Sequence, residues 1–337
     1  MVTMICHDQE PLDYDYYSMP SRLKELQDHF PDFILNHCGD QYQVISSFLG
    51  KRNIKMVNVS CCSQPYALLL HSEKKSSNLD TYEQSGFIGV YWWSHAIIAG
   101  DWFRYAEHDL DLHSKHLQKD FLIYNRAWRG TREYRLKFAE LLVQQHLQDH
   151  CMIRFNPQDD GQHYENHVYR NPKFAVDTAL ENYFELNTYD SVASADYVAQ
   201  DYTSTAIEVV LETLFDDSRH HLTEKILRPI ACGQPFMLAA TAGSLEYLRS
   251  YGFRTFSPVI NETYDSVQDP VTRLSAIISE MRRIVDLPND QKQSLFAQLR
   301  LIAVYNQQRF FSTDFQNHVI QELKQNIAKA RIRLQGS

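Results

Sequence analysis

Between residues 207 and 256 three short apolar runs alternate with two helical segments, a pattern that leaves a chain little alternative to a parallel sheet. The runs are Ile-Glu-Val-Val-Leu at 207–211, Gln-Pro-Phe-Met-Leu-Ala at 234–239 and Phe-Arg-Thr-Phe at 253–256. The loop 216–221 follows the first, and Thr223 then caps a predicted helix that extends to Gly233. A second predicted helix, 243–250, stops at Gly252, the residue type that most easily takes the left-handed turn past a helix end. Strand, helix, strand, helix, strand at this spacing predicts a Rossmann-like unit.

The first third is patterned in the same way, with apolar runs at 33–35, 42–49, 55–59 and 66–70 that suit buried strands. A further run, Asp-Phe-Leu-Ile-Tyr at 120–124, leads into Asn125-Arg126-Ala127-Trp128-Arg129-Gly130-Thr131. Beyond it Tyr134, Phe138, Leu141 and Leu142 mark one face of a helix for which Thr131 is the expected cap. From Asn156 to about Asn187 the chain turns polar and turn-rich, and a domain boundary is expected there. With 337 residues, two cores are the ordinary outcome. The expected fold is α/β and GT-B-like: an acceptor-side Rossmann-like domain over 1–155, a nucleotide-sugar domain over 156–289, and helices over 290–337. The last of these carries Phe315, Val319, Leu323 and Ile327 at intervals of four, behind a Thr313/Gln316 capping-box spacing.

A net charge of −9 argues against a surface devoted to nucleic acid or anionic lipid, both of which need Lys and Arg against phosphate, but leaves room for a local basic site. The N-terminus is too short an apolar stretch for a signal peptide and no run is long enough to span a membrane, so a cytoplasmic protein is expected. The six cysteines show no CxxC spacing and are read as reduced thiols.

Two stretches break or exploit helix electrostatics. Arg126, Arg129, Arg132 and Arg135 crowd the start of a helix, where the dipole favours anions. Guanidinium groups beside free backbone N–H groups at the end of a strand suit a diphosphate. The competing account is a solvated helix start paired with Glu133 and Glu140. Thr223-Glu224-Lys225 heads the second-domain helix, where a carboxylate suits ribose hydroxyls and an ammonium suits phosphate. Taken alone, that tripeptide is equally a capped helix start.

Its surroundings carry a resemblance. Leu211-Glu212-Thr213, His221-Leu222-Thr223-Glu224-Lys225-Ile226 and the following Pro229 to Phe236 segment resemble the donor-binding motif of the α-1,3-fucosyltransferase family, roughly Phe-Glu-Asn, a loop, Thr-Glu-Lys, a helix and a strand. Asn125 followed by Arg132 and a helix resembles that family's Ser-Asn-then-Arg segment. His71-Ser72-Glu73 resembles the place of its catalytic glutamate. The chain is also similar, through His7 to Leu12, Tyr91 to His95, Asp101 to Arg104 and Gly243 to Asp265, to glycosyltransferase-like proteins of large tailed phages; host cytoplasm is then the implied location. The resemblance implies two Rossmann-like domains facing across a cleft and inverting transfer of a sugar from a nucleotide diphosphate donor. It implies Glu73 as base, Arg132 and Lys225 on the departing diphosphate in place of a metal, and Glu224 on the ribose. Asn125, Arg126, Arg129, Glu212, Thr213, His221 and Thr223 complete the implied nucleotide-sugar site. Thr213 replaces the family's Asn, His221 its aromatic contact, and the loop before Glu224 is longer, so fucose is not implied as the sugar.

Several alternatives stand beside this reading. Glu10, in Asp-Gln-Glu-Pro, competes with Glu73 as base. Asp13-Tyr-Asp15 and Asp109-Leu-Asp111 match the short motif of metal-dependent glycosyltransferases. The pairs His113/His116 and His146/His150 have helical spacing without a third ligand, so no metal is expected. Tyr91-Trp92-Trp93 and Trp102-Phe103 read as core, with Ser94, His95, Asp101 and Arg104 as the polar residues that reach a cleft. The acceptor is a glycan, a protein or modified DNA, and no cofactor is expected beyond the donor itself. From another class, a non-catalytic viral or scaffold protein would keep such a fold for binding alone.

Overall fold

The computed structural model describes residues 2–6, 33–36, 67–75, 87–178, 180, 196–257 and 259–335. The expected strands at 42–49 and 55–59, together with Glu10, Asp13 and Asp15, lie outside these residues. The chain divides into two compact units, residues 1–94 with 317–337, and residues 95–316.

In the first unit β1 (Val2–Cys6), β2 (Phe33–Asn36), β3 (Ala67–His71) and β4 (Phe87–Tyr91) form a parallel sheet in the order β2-β1-β3-β4. In the second, β5 (Lys119–Asn125), β6 (Cys151–Phe155), β9 (Thr205–Leu211) and β10 (Phe236–Ala239) form another, ordered β10-β9-β5-β6 and again parallel. Numbered by their sequence within each sheet, both read 2-1-3-4. That order reverses between the first and third strands, and the crevice beyond the C-terminal ends of those strands is where open α/β sheets take ligands. A two-stranded hairpin, β7 (Gln158–Asp159) with β8 (Gln162–His163), follows β6.

The boundary expected near residue 156 is corrected by this pairing. β5 and β6 lie before it, β9 and β10 after it, and β5 pairs with β9 in register. The turn-rich segment does not separate two sheets, because acids on the helix between β5 and β6, α2 (Tyr134–Gln144), hold its backbone. Glu140 accepts the N–H groups of Asp177 and Thr178 at 2.6 and 2.8 Å. Glu133, at the N-cap of α2, accepts those of Arg170 and Asn171, both at 2.8 Å, and lies 3.0 Å from His167 Nε2. Both carboxylates thus hold the backbone of this distant segment, a role the competing account did not give them. The helix also starts later than expected: Thr131 sits in a 3-10 turn, Gly130–Arg132, and Glu133 rather than Thr131 precedes the first α turn.

All seven residues of β9 are buried, Glu208 among them. Its carboxylate accepts from Tyr202 Oη on α3 (Ala199–Thr203) at 2.7 Å and from Arg228 Nη2 on α4 (Glu224–Ala231) at 2.9 Å. Burial pushes the Glu208 carboxyl above its ordinary value, against the opposing pull of Arg228 and Tyr202. Arg228 also lies over the Tyr124 ring, 4.1 Å from its centroid. A charge in a central strand is thus paired and hydrogen-bonded, the condition under which buried charges are tolerated.

Two further expectations change. Residues 253–256 are not a strand: Asn306 holds the backbone N–H and carbonyl of Arg254, each at 2.8 Å, and Glu262 accepts the N–H of Phe256 at 2.5 Å. Side chains have taken the backbone groups a sheet would use. The last helix, α8 (Thr313–Gln335), is capped by Ser312, whose hydroxyl accepts from Phe315 N at 3.2 Å, rather than by Thr313. Phe315, Val319, Leu323 and Ile327 are all buried. The expected helix 243–250 appears as α5 (Ser244–Ser250), with Gly252 at φ +86° behind it. α6 (Pro270–Val285) and α7 (Asn289–Phe311) complete the second unit. Trp92, Trp93 and Phe103 are buried, as are the free thiols Cys151 and Cys232.

Candidate functional site

The arginine-rich loop leaves β5 and the Thr-Glu-Lys loop leaves β9, so the two stretches singled out in the sequence flank the switch point of one sheet. Backbone struts fix their positions. Arg135, buried, donates from Nη1 to Ala127 O at 2.6 Å and from Nη2 to Leu211 O at 2.7 Å and Glu212 O at 3.0 Å, tying the first loop to the second. Tyr134 Oη donates to Glu212 O at 2.5 Å. From α6, Arg273 reaches Phe215 O at 2.5 Å and Ala240 O at 3.1 Å, which joins the loop after β9 to the loop after β10. On the other side Asp159 Oδ2 accepts the N–H groups of Trp128 and Arg129, both at 2.8 Å. Sequence reasoning missed Tyr134 and Arg273 as positioning residues, since their partners are carbonyls distant in sequence.

Glu212 organises the second loop. One carboxylate oxygen accepts from Thr223 N at 2.9 Å and the other from Thr223 Oγ1 at 2.7 Å. The Thr223 hydroxyl in turn accepts from Lys225 N at 3.3 Å, the N-cap contact expected of it. Glu212 and Thr223 are thus consumed within the protein and set where α4 begins. Glu212→Leu leaves the Thr223 N–H buried without a partner, and a loss of about 2–3 kcal/mol is expected in urea unfolding. A change within 0.5 kcal/mol, roughly that of an ordinary surface substitution, would show that the clamp does not hold the loop.

Around that start the charges converge. Lys225 Nζ lies 2.7 Å from Glu224 Oε1, and His95 Nε2, on α1 (Ser94–Trp102), lies 3.7 Å from Glu224 Oε2. The His95 ring meets the His221 ring edge-on, centroids 5.1 Å apart. Burial opposes ionisation of Glu224, yet the Lys225 ammonium and His95 hold its carboxyl well below the usual range. Burial likewise lowers Lys225, aided by Arg135 and Arg132 and opposed by Glu224 and Glu212. Arg132 is pushed down to about 10 by burial and by Arg135, with Asp159 and Glu224 opposing. Arg132 follows β5, and Lys225 and Glu224 follow its neighbour β9.

Of the remaining candidates, Arg129 pairs with Asp160 at 2.7 Å and Arg126 is exposed, so the four-arginine cluster expected of this loop is corrected to one convergent arginine, Arg132, and one strut, Arg135. Asn125 and Thr213 are buried at the ends of β5 and β9. Asp109 caps a 3-10 turn, its Oδ1 accepting from Asp111 N at 3.0 Å, and its Oδ2 accepts from Tyr197 Oη at 2.9 Å. Asp101 and Arg104 pair with each other at 3.7 Å. Among the described residues no group of three or more His, Cys, Asp or Glu is arranged to hold a metal ion.

In the first unit Glu73 stands two residues past β3, a strand that borders that sheet's own switch point with β1. Its side chain is buried, and so are those of His71 and Ser72. The next residue, Lys74, lies 3.7 Å from Glu322 and 5.3 Å from the Tyr91 ring centroid.

No family model, no curated protein and no solved structure matches the chain. Among the described residues no helix is long and apolar enough to cross a membrane. What stands on the geometry alone is an α/β protein with parallel sheets and a cationic cluster at the mouth of one of them.

Proposed function

We propose that the protein is an inverting glycosyltransferase that moves a sugar from a nucleotide diphosphate sugar to an acceptor hydroxyl without a metal ion. The observation that carries this reading is the convergence of Arg132, Lys225 and Glu224 beyond the ends of β5 and β9. Partly desolvated cations there suit a leaving diphosphate, and a carboxylate held ionised suits the ribose diol. Two parallel four-stranded sheets with one strand order, one in each unit, support this reading.

In the reaction the acceptor oxygen attacks the anomeric carbon from the face opposite the diphosphate. The bond from that carbon to the diphosphate oxygen breaks as the new glycosidic bond forms. The hydroxyl proton passes to a carboxylate, Glu73, with Glu10 as the competing base. Arg132 and Lys225 meet the charge that grows on the departing nucleoside diphosphate. The acceptor hydroxyl belongs to a glycan, a protein or modified DNA.

Thermal unfolding with a panel of nucleoside diphosphates and nucleotide sugars tests the reading. A nucleotide present at 100 times its Kd stabilises the folded state by about 2.7 kcal/mol, a clear rise in Tm. Stabilisation by at least one base type, and turnover that survives chelator, are the expected results. No stabilisation by any nucleotide would leave the fold as a non-catalytic scaffold. Turnover abolished by chelator would favour a metal-dependent transferase.

A further inference from the structure

Among the buried side chains of the second unit with polar atoms that lack a hydrogen-bond partner among the described residues, three belong to the region of the two strand ends that flank the switch point. Asn125, fully buried at the end of β5, has both its amide nitrogen and its amide oxygen unpaired; the Thr213 hydroxyl, just past β9, and Arg135 Nε are unpaired as well. Arg135 is held by Ala127 O, two residues past Asn125, and by Leu211 O and Glu212 O, next to Thr213, so its guanidinium bridges the chain beside both residues. Each buried orphan costs free energy unless something fills its valence, and a group of them at a ligand-binding edge points to an occupant.

The chemistry of the set restricts that occupant. Arg135 Nε–H only donates, whereas the Asn125 amide oxygen only accepts. A phosphate oxygen accepts and would leave the Asn125 oxygen unsatisfied beside a negative charge. A hydroxyl donates and accepts, and so answers both. We propose that Asn125, Thr213 and Arg135 line one recess that binds hydroxyls of the sugar attached to the diphosphate. This rests on the donor reading above, in which Arg132 and Lys225 take the diphosphate and Glu224 the ribose, leaving the transferred sugar for the recess. Asn125 and Thr213 are then the residues that select the sugar, and Thr213 standing where the fucosyltransferase motif has Asn gives the recess a different pattern of donors and acceptors.

The experiment compares Kd values for UDP against UDP-glucose, and for GDP against GDP-mannose and GDP-fucose, in the wild type, Asn125→Leu and Thr213→Val. In the base series that binds, the conjugate is expected to weaken about 10-fold in Asn125→Leu and about 5-fold in Thr213→Val, while the bare diphosphate stays within about twofold. Thr213→Val is nearly isosteric and carries the test if Asn125→Leu does not fold. Equal loss for conjugate and bare diphosphate would assign the recess to the nucleotide and overturn the inference. No change for either ligand would make it a water site, which also overturns the inference while the donor reading stands. A wild type that binds none of these compounds overturns both.

Discussion

Lys225→Ala is expected to weaken nucleoside diphosphate binding by about 100-fold and to lower turnover by about 100- to 1,000-fold, the scale on which a preorganised charge in a desolvated site acts. The ammonium is partly buried, 2.7 Å from Glu224, at the first turn of α4, where free N–H groups add to its field. Arg132→Ala is expected to follow in the same direction. Lys225→Arg keeps the charge on a wider, planar group and should recover only part of the loss. Removing one partner of the pair also costs stability, about 1–3 kcal/mol after allowance for partial exposure, so binding is to be measured well below the variant's Tm.

The pH dependence of that stability supplies a second readout. The Glu224 carboxyl is depressed in the folded protein, so its contribution is present above the unfolded value, about 4.3, and is lost as pH falls toward the folded value. Wild-type stability in urea should therefore fall between about pH 5 and about pH 2, and Lys225→Ala should fall less steeply across that window. Nucleotide affinity within twofold of wild type in Lys225→Ala, together with an unchanged pH slope, would remove the cation cluster from the site.

The elements that were legible in the sequence are those whose cause is local. Thr223 caps α4 through a contact two residues away, Gly252 ends α5, and the apolar run of β9 marks a strand buried on both faces. What the sequence could not disclose is pairing between distant segments. The strand at 119–125 and the strand at 205–211 look like parts of separate domains because a polar, turn-rich stretch divides them, yet β5 and β9 are neighbours. The acids that fasten this stretch, Glu133 and Glu140, read as ordinary surface charges on a helix until their backbone partners are known. The same reason hid the division of labour among the arginines. Arg132 and Arg135 are three residues apart in one helix start, and it is the Arg135 guanidinium that reaches the carbonyls of Leu211 and Glu212 and becomes a strut. The contact from His95 to Glu224 was equally beyond the sequence, which offered His95 only as a polar residue beside an aromatic cluster.

Glu73→Gln is expected to lower turnover by about 1,000-fold while leaving donor affinity within twofold, because a general base acts on the proton transfer and not on nucleotide binding. The substitution is isosteric, and at a residue only 4 % exposed that matters for keeping the fold. The position has a structural argument of its own: Glu73 follows β3, one of the two strands that border the switch point of the first sheet, and Glu10 follows β1, the other, in sequence. Glu10→Gln is therefore the matched comparison, expected to retain most of the activity. Because the acceptor is still to be identified, the assay reads slow hydrolysis of the donor, in which water replaces the acceptor hydroxyl and needs the same proton removed. Loss in Glu10→Gln with full activity in Glu73→Gln would move the base to the first strand. Full activity in both would mean that neither carboxylate takes the proton, and the donor cluster would then have to be completed by a base from elsewhere in the chain.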